Sequence, residues 1–510
     1  MTNKSKDKNS IINKLKNYHP PKSLTFLYLF IPLFNALRLA LTLDNDFWFL
    51  TNTGKYIINN GFPTIEPFTI HKNFDFIIQQ WLTDVIFYYI HQYLGGWGIV
   101  FLTMILFIII LFITYKLCLL VSENRFNLSI ILTVIIGTLL SMIYVRSRPQ
   151  MFDYIILLLL LYQLELYIRK KDKKYLYPLP LLSLLLINLH SSSWLMLFAF
   201  ILPYLINSYK FTFLCFESEG YPRKPLFITV FLMIVIAFIN PYGIKAMTYI
   251  FTSYGNSYIN NIVSEMKSPL INTSSGLLVY LIIFLVYFCY IISKKDKIKI
   301  RYFLLLLGTT FLSLQSIKGF SFFIIGAIFS LGDHFKENFQ VYKEKYYYSK
   351  QFKIKYILIL LIMTAGLVIN IKSENHDFYN TNISKTIKYL EKVEKIDKKN
   401  SKIYTSYDNG SFAEYKGLKV YLDPRAEVFV KKNNHKEDII KEYYKLQMGQ
   451  IDITKFLQKY QFDYLIINTN DYMYKYYLDT TKNKLYEKIY NENEKGEKHY
   501  LYKKVAKNDN

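Results

Sequence analysis

Before residue 372 the chain is dominated by apolar runs, each close to the length of a membrane-crossing helix or somewhat shorter, and these decide its class. They fall near 24–43, 97–120, 127–145, 150–168, 175–189, 194–208, 226–239, 275–292, 300–314, 319–332 and 355–371. A perpendicular span takes about 20 apolar residues, so the pattern predicts an α-helical polytopic membrane domain of about eleven spans over 24–371. A further stretch, 76–94, is amphipathic and interrupted by Gln79, Gln80 and Asp84. It reads as a helix lying at the outer interface with Trp81 as its anchor.

Orientation follows from the basic residues. With residues 1–23 as a cytoplasmic tail, the inside segments 1–23, 115–126, 168–175, 208–225, 293–301 and 333–355 hold 27 Lys and Arg, whereas the short outside loops hold seven. That is the positive-inside asymmetry, so the chain is expected in the cell membrane as a multi-pass protein. The net charge of +24 mostly reflects this orientation. Because the basic residues are split among loops, no nucleic-acid partner is expected. No small-residue cleavage site follows the first apolar run, which reads as a retained helix. Cys118, Cys215 and Cys289 lie in or near spans or on the cytoplasmic side, which leaves no disulfide framework or thiolate metal site outside.

An odd number of spans puts residues 372–510 outside. There the pattern changes to charged helical stretches alternating with short β-rich runs: a helix over 382–395, strands at Lys402–Ser406 and Lys419–Leu422, a helical stretch at 435–459 and a buried strand at Asp463–Ile467. A small extracytoplasmic α/β domain is expected. Within it, Asp423 and Arg425 read as a structural pair.

The first external loop, 44–96, carries the strongest functional signal. Asp44 and Asp46 stand at the mouth of the first span, where carboxylates are costly unless water, a partner or a substrate compensates them. A solvated helix-end loop is the plain alternative. In this topology the other unusual polar groups at span ends also fall outside: Glu66, His71, Arg146, Arg148, His190, Asn240, Glu265 and Lys318. Arg146-Ser147-Arg148-Pro149 is basic on the side where basic residues are disfavoured, and guanidinium suits bidentate phosphate binding. His71 and His190, with Glu66 or Glu265, are the conceivable ligands of a divalent metal. No close-spaced His/Glu pair marks such a site, so no metal or other cofactor is expected. The absence of a phosphate-binding glycine loop argues against a nucleotide-driven pump.

Asp46, Gly61, Pro63, the Glu66-Pro67-Phe68-Thr69 turn and Trp81-Leu82 together resemble the first external loop of the GT-C superfamily, polytopic glycosyltransferases that use polyprenyl-phosphate sugars. Arg148-Pro149-Gln150-Met151, Asn188-Leu189-His190, Asn240-Pro241-Tyr242-Gly243, Glu265-Met266-Lys267-Ser268-Pro269 and Val420–Glu427 resemble a bacterial branch related to protein O-mannosyltransferases and aminoarabinose transferases. Asp46 is followed by Phe47 where several families carry a second acidic residue, and Glu66 stands where the branch often has Asp.

The resemblance implies an inverting membrane glycosyltransferase, hexosyl- or pentosyl-, that moves a sugar from a polyprenyl-phosphate donor to an extracytoplasmic glycan, lipid or protein acceptor. It implies Asp46, with Asp44 beside it, as the catalytic carboxylate and general base. Glu66, His71, Trp81, Arg146, Arg148, His190, Asn240, Glu265 and Lys318 are the expected substrate-binding residues, with Arg146, Arg148 or Lys318 meeting the leaving phosphate. Trp48, Trp81 and Trp194 are either interfacial anchors or stacking surfaces. Two other classes compete: a transporter or flippase of polyprenyl-linked glycans, disfavoured because the charged groups gather on one side, and a non-catalytic cell-envelope assembly protein of the same fold.

Overall fold

The computed structural model describes residues 28–339 and 378–505, apart from 254, 294, 295, 379, 380, 382, 495 and 496. The expected span at 355–371 and the N-terminal segment 1–23 lie outside these residues. Every other apolar run folds as helix: Phe30–Ala40, Trp81–Val121, Phe126–Ile143, Gln150–Lys170, Pro178–Leu189, Met196–Asn207, Arg223–Ile236, Ser274–Ile292, Ile300–Gln315 and Phe320–Ala327. Four of them, 81–121, 126–143, 150–170 and 274–292, are long and apolar enough to cross a membrane. The chain is a membrane protein on that ground. The remaining helices have 8 to 16 residues. They rise only about 12–24 Å against a hydrocarbon core of about 30 Å, so the bundle combines four helices of crossing length with shorter apolar ones.

The stretch 76–94 differs from the separate surface helix expected. Residues 76–80 are loop, and the helix starting at Trp81 continues to Val121 through a kink at Gly95, whose φ is +62°. Its first half is covered by protein, with Asp84, Phe87 and His91 buried, because the helix Asn45–Asn60 lies against it. Gly54 allows that approach, since a Cβ there would stand 2.1 Å from the Asp84 carbonyl oxygen. Trp81 donates its indole N–H to Asn188 Oδ1 at 2.8 Å, a contact made within the protein.

At the end of the bundle away from the first loop, strands β1 (Phe211–Phe213), β2 (Phe216–Ser218) and β3 (Ile298–Lys299) form a small sheet. Beside it Arg301 is fully buried against Glu165 (2.9 Å) and Glu219 (2.9 Å), with the Tyr204 and Tyr302 hydroxyls each donating to Glu165 at 3.0 Å.

The C-terminal part is an α/β domain. Strands β4 (Lys402–Thr405), β5 (Lys419–Val420), β6 (Tyr464–Asn468), β7 (Tyr486–Glu494) and β8 (Glu497–Lys504) form one sheet in the order β5-β4-β6-β8-β7. The first three are parallel and the last two form an antiparallel hairpin. Ile403, Tyr404, Val420, Leu465, Ile466 and Ile467 are buried, the continuous apolar pattern of a parallel sheet covered on both faces. The helical stretch at 435–459 is two helices, Ile439–Gln447 and Ile453–Tyr460, broken where Gly449 adopts φ +69°.

The first loop joins this sheet. Thr69 bridges Val420 in parallel register, and the Ile70 N–H donates to the Val420 carbonyl at 3.0 Å. Arg425 secures the junction: its guanidinium, buried between the Phe68 and Phe76 rings, meets Asp423, Glu66 (3.0 Å) and Glu414 (3.2 Å). Asp423 and Arg425 are thus in contact, within a cluster that ties the loop to the α/β domain.

Candidate active site between the bundle and the α/β domain

The helix Asn45–Asn60 begins at Asp44, whose carboxylate accepts the Asp46 N–H at 3.2 Å as an N-cap. This turn fixes the positions of both carboxylates. The loop before the helix Gln150–Lys170 reaches them with its two arginines. Arg146 Nη1 lies 2.8 Å from Asp44 Oδ2, and Arg148 Nη2 2.7 Å from Asp44 Oδ1. Arg148 Nε also stands 3.1 Å from Asp46 Oδ2, and its Nη1 2.6 Å from Glu265 Oε2. One guanidinium therefore serves three carboxylates. The segment carrying Glu265 is held to the Lys318 segment by two backbone bonds, Ile317 N–H to the Lys267 carbonyl (3.0 Å) and Lys318 N–H to the Glu265 carbonyl (2.9 Å).

The two aspartates differ electrostatically. Burial pushes Asp44 upward, but Arg148 and Arg146 outweigh it and hold the carboxyl below its ordinary value. Burial drives Asp46 up to about 8. Arg148 opposes the rise, the neighbouring Asp44 and Glu265 charges add to it, and Lys318 opposes it more weakly. Asp44 is thus a fixed anion committed to two arginines. Asp46, with one longer contact to Arg148 and a side chain 23% exposed, is the carboxylate left to exchange a proton. Glu265 is also raised by burial, yet Arg148 and Lys318 bring it below its ordinary value.

Asp46 opens into a cavity of about 120 Å³. The bundle side of its wall includes Asp46, Phe49, Gln150, His190, Ser192, Tyr249, Glu265 and Lys318, and the α/β domain contributes Tyr407, Pro424, Ala426 and Glu427. Gln79 of the first loop lies on the wall and donates to Glu427 at 2.5 Å. On one side His190 Nδ1 is 2.7 Å from Asp153 Oδ2, Ser193 Oγ donates to the same oxygen at 2.6 Å, and Ser192 Oγ is 2.9 Å from His190 Nε2.

Of the residues singled out in the sequence, Asp46, His190, Glu265 and Lys318 line this cavity, and Asp44, Arg146 and Arg148 stand directly behind Asp46. The arginines face carboxylates. Glu66 and His71 belong to the junction with the sheet: Glu66 accepts from the Phe68 and Thr69 amides, and His71 stacks on Phe74 with Nε2 2.7 Å from the Tyr421 carbonyl. Asn240 closes a turn, accepting the Tyr242 N–H at 2.8 Å. Trp48 and Trp194 are buried in the core, Trp48 against Phe412 and Tyr415, and Trp194 donating to Ser183 at 2.8 Å. Among the described residues no group of three or more His, Cys, Asp or Glu is arranged to hold a metal ion.

Sequence reading missed Asp153, Ser192 and the lining supplied by Tyr407 and Glu427. Asp153 had a signal, since an acid within an apolar helix is a functional candidate by default. Glu427 ends the Val420–Glu427 segment of the resemblance, whereas Tyr407 had no signal, because only the folded arrangement brings position 407 to position 46.

No family model matches the chain, and no curated protein matches it either. Solved structures do. The apo crystal structure of the Archaeoglobus fulgidus oligosaccharyltransferase aligns with a TM-score of 0.50 at 11% identity, over 95% of this chain and 75% of that one. The same enzyme tethered to an acceptor peptide containing the NVT sequon aligns at 0.49 with 11% identity (87% and 69%), and its complex with Zn and sulfate at 0.47 with 10% identity (93% and 72%). The apo alignment extends through both the helical bundle and the sheet domain, and the fold of this chain is accordingly the GT-C fold.

Proposed function

We propose that the protein is a membrane glycosyltransferase that moves a sugar from a polyprenyl-phosphate donor to a hydroxyl-bearing acceptor outside the cell, with Asp46 as general base. The observation that carries this reading is the setting of Asp46: a carboxyl group with a pKa near 8 on the wall of a cavity that it shares with Lys318, at the junction of an apolar bundle and a polar domain. A lipid-linked donor needs one substrate portion in the bilayer and the reacting carbon at its surface, and the junction offers both environments. The GT-C fold accords with the same chemistry.

In this reading the acceptor hydroxyl gives its proton to Asp46 and attacks the anomeric carbon, and the sugar–phosphate bond breaks with inversion. Lys318 offsets the charge that develops on the leaving phosphate. Arg148 neutralises Asp44 and holds Asp46 in place, so of the three cations that the sequence offered for the phosphate, Arg146, Arg148 and Lys318, this reading takes the lysine. The bundle is oriented with the first loop and the α/β domain outside. Purified protein in lipid, incubated with a panel of polyprenyl-phosphate sugars, should release polyprenyl phosphate from at least one of them. No release from any donor, with and without added divalent metal and candidate acceptors, would remove the reading.

A further inference from the structure

We propose that Ser192, His190 and Asp153 form a proton relay that protonates the departing lipid phosphate, an assignment that rests on the transfer reaction above. Asp153 stands in the first turn of the apolar helix Gln150–Lys170, fully buried, and a carboxylate in such a place needs a use. Its Oδ2 lies 2.7 Å from His190 Nδ1 and accepts from Ser193 Oγ at 2.6 Å. With Nδ1 committed to the carboxylate, Nε2 is directed at Ser192 Oγ, 2.9 Å away. The carboxylate–imidazole–hydroxyl order is that of hydrolase triads, in which the acid fixes the imidazole's tautomer and stabilises its protonated form.

His190 and Ser192 line the cavity that holds Asp46 and Lys318; Asp153 and Ser193 do not. Helix ending does not require the imidazole either. The backbone N–H of His190 closes the helix Pro178–Leu189 by donating to the Leu186 carbonyl at 2.8 Å, which any residue can do.

The protons balance as follows. The acceptor oxygen bonds to the anomeric carbon and its proton goes to Asp46. The bond from that carbon to the phosphate oxygen breaks, and the electron pair stays on the phosphate. Ser192 gives its hydroxyl proton to a phosphate oxygen while the protonated His190 passes the Nε2 proton to Ser192. His190 ends neutral, with its Nδ1 proton still facing Asp153, and solvent in the cavity resets both groups. His190 and Ser192 are catalytic residues in this scheme, and Asp153 is a positioning residue.

The test uses the full chain in lipid, measuring polyprenyl-phosphate release for wild type, His190→Ala and Ser192→Ala. Loss of a proton-transfer group predicts a fall of about 10²–10⁴-fold for His190→Ala and Ser192→Ala. Added imidazole should restore His190→Ala at least about tenfold, and the degree of rescue should track the imidazolium fraction, larger at pH 6 than at pH 8. Undiminished turnover in His190→Ala overturns the relay. So does a loss that imidazole leaves untouched, which makes His190 structural, or a rescue that tracks neutral imidazole, which makes it a base. A wild-type chain that turns over no donor overturns the proposed function and the relay together, whereas an active wild type beside an unimpaired His190→Ala overturns the relay alone.

Discussion

Asp44 and Asp46 are two residues apart and have opposite electrostatic fates: burial pushes both upward, but Arg148 and Arg146 together outweigh it at Asp44, whereas at Asp46 Arg148 and the weaker Lys318 do not. A base must be ionised to act, and Asp46 holds its proton until about pH 8. Turnover, read as kcat/KM, should therefore carry a limb that rises by up to about tenfold per pH unit as Asp46 ionises. The sign of two substitutions follows. Asp44→Asn keeps a good helix cap but removes a negative neighbour, so the midpoint of the profile should move to lower pH. Arg148→Ala removes the cation that holds Asp46 down, so the midpoint should move above 8. Measured pH profiles of the two variants check both directions, and midpoints that stay with the wild type would mean that another group is titrating. Arg146 is half-exposed, and its loss should cost under about 1 kcal/mol of stability.

Between elements, the contacts that matter join the first loop to the α/β domain and the helix Asn45–Asn60 to the helix Trp81–Val121. Replacing Arg425 with Leu leaves Asp423 and Glu66 buried without their cation. Breaking such a cluster costs about 3–5 kcal/mol, visible as a lowered unfolding midpoint and faster proteolysis of the loop 61–80. Gly54→Ala puts a methyl group against the Asp84 carbonyl and should cost about 1–3 kcal/mol, as overpacking does. The helices of this arrangement were legible in the sequence because apolar runs of such length permit little else, and β4, β5 and β6 were legible from their β-rich runs. The hairpin of β7 and β8 was not. Tyr, Lys and Glu fill it, and its order comes from pairing with β6. In the site, Asp44 and Asp46 stood out by their position, but nothing along the chain reveals that residues 44, 46 and 265 converge on Arg148. The arginine pair consequently read as an open phosphate site when its charge is already matched.

For the whole molecule, transfer to an external acceptor requires the cavity end of the bundle and the α/β domain to face outward, with the Arg301–Glu165 cluster at the cytoplasmic end. Lys436 and Lys174 are exposed in the two regions that should lie on opposite sides. A cysteine at position 436 should react with an impermeant reagent in intact cells, and one at 174 only after permeabilisation; the reverse pattern would invert the topology and place the cavity on the wrong side for an external acceptor. The most direct test of the central claim is a paired measurement on wild type and Asp46→Asn in lipid, following sugar transfer and donor binding together. The substitution keeps the size of the side chain and removes the base, so transfer should fall about 10²–10⁴-fold while donor affinity stays within a few-fold of wild type. Transfer at the wild-type rate in Asp46→Asn would contradict the account.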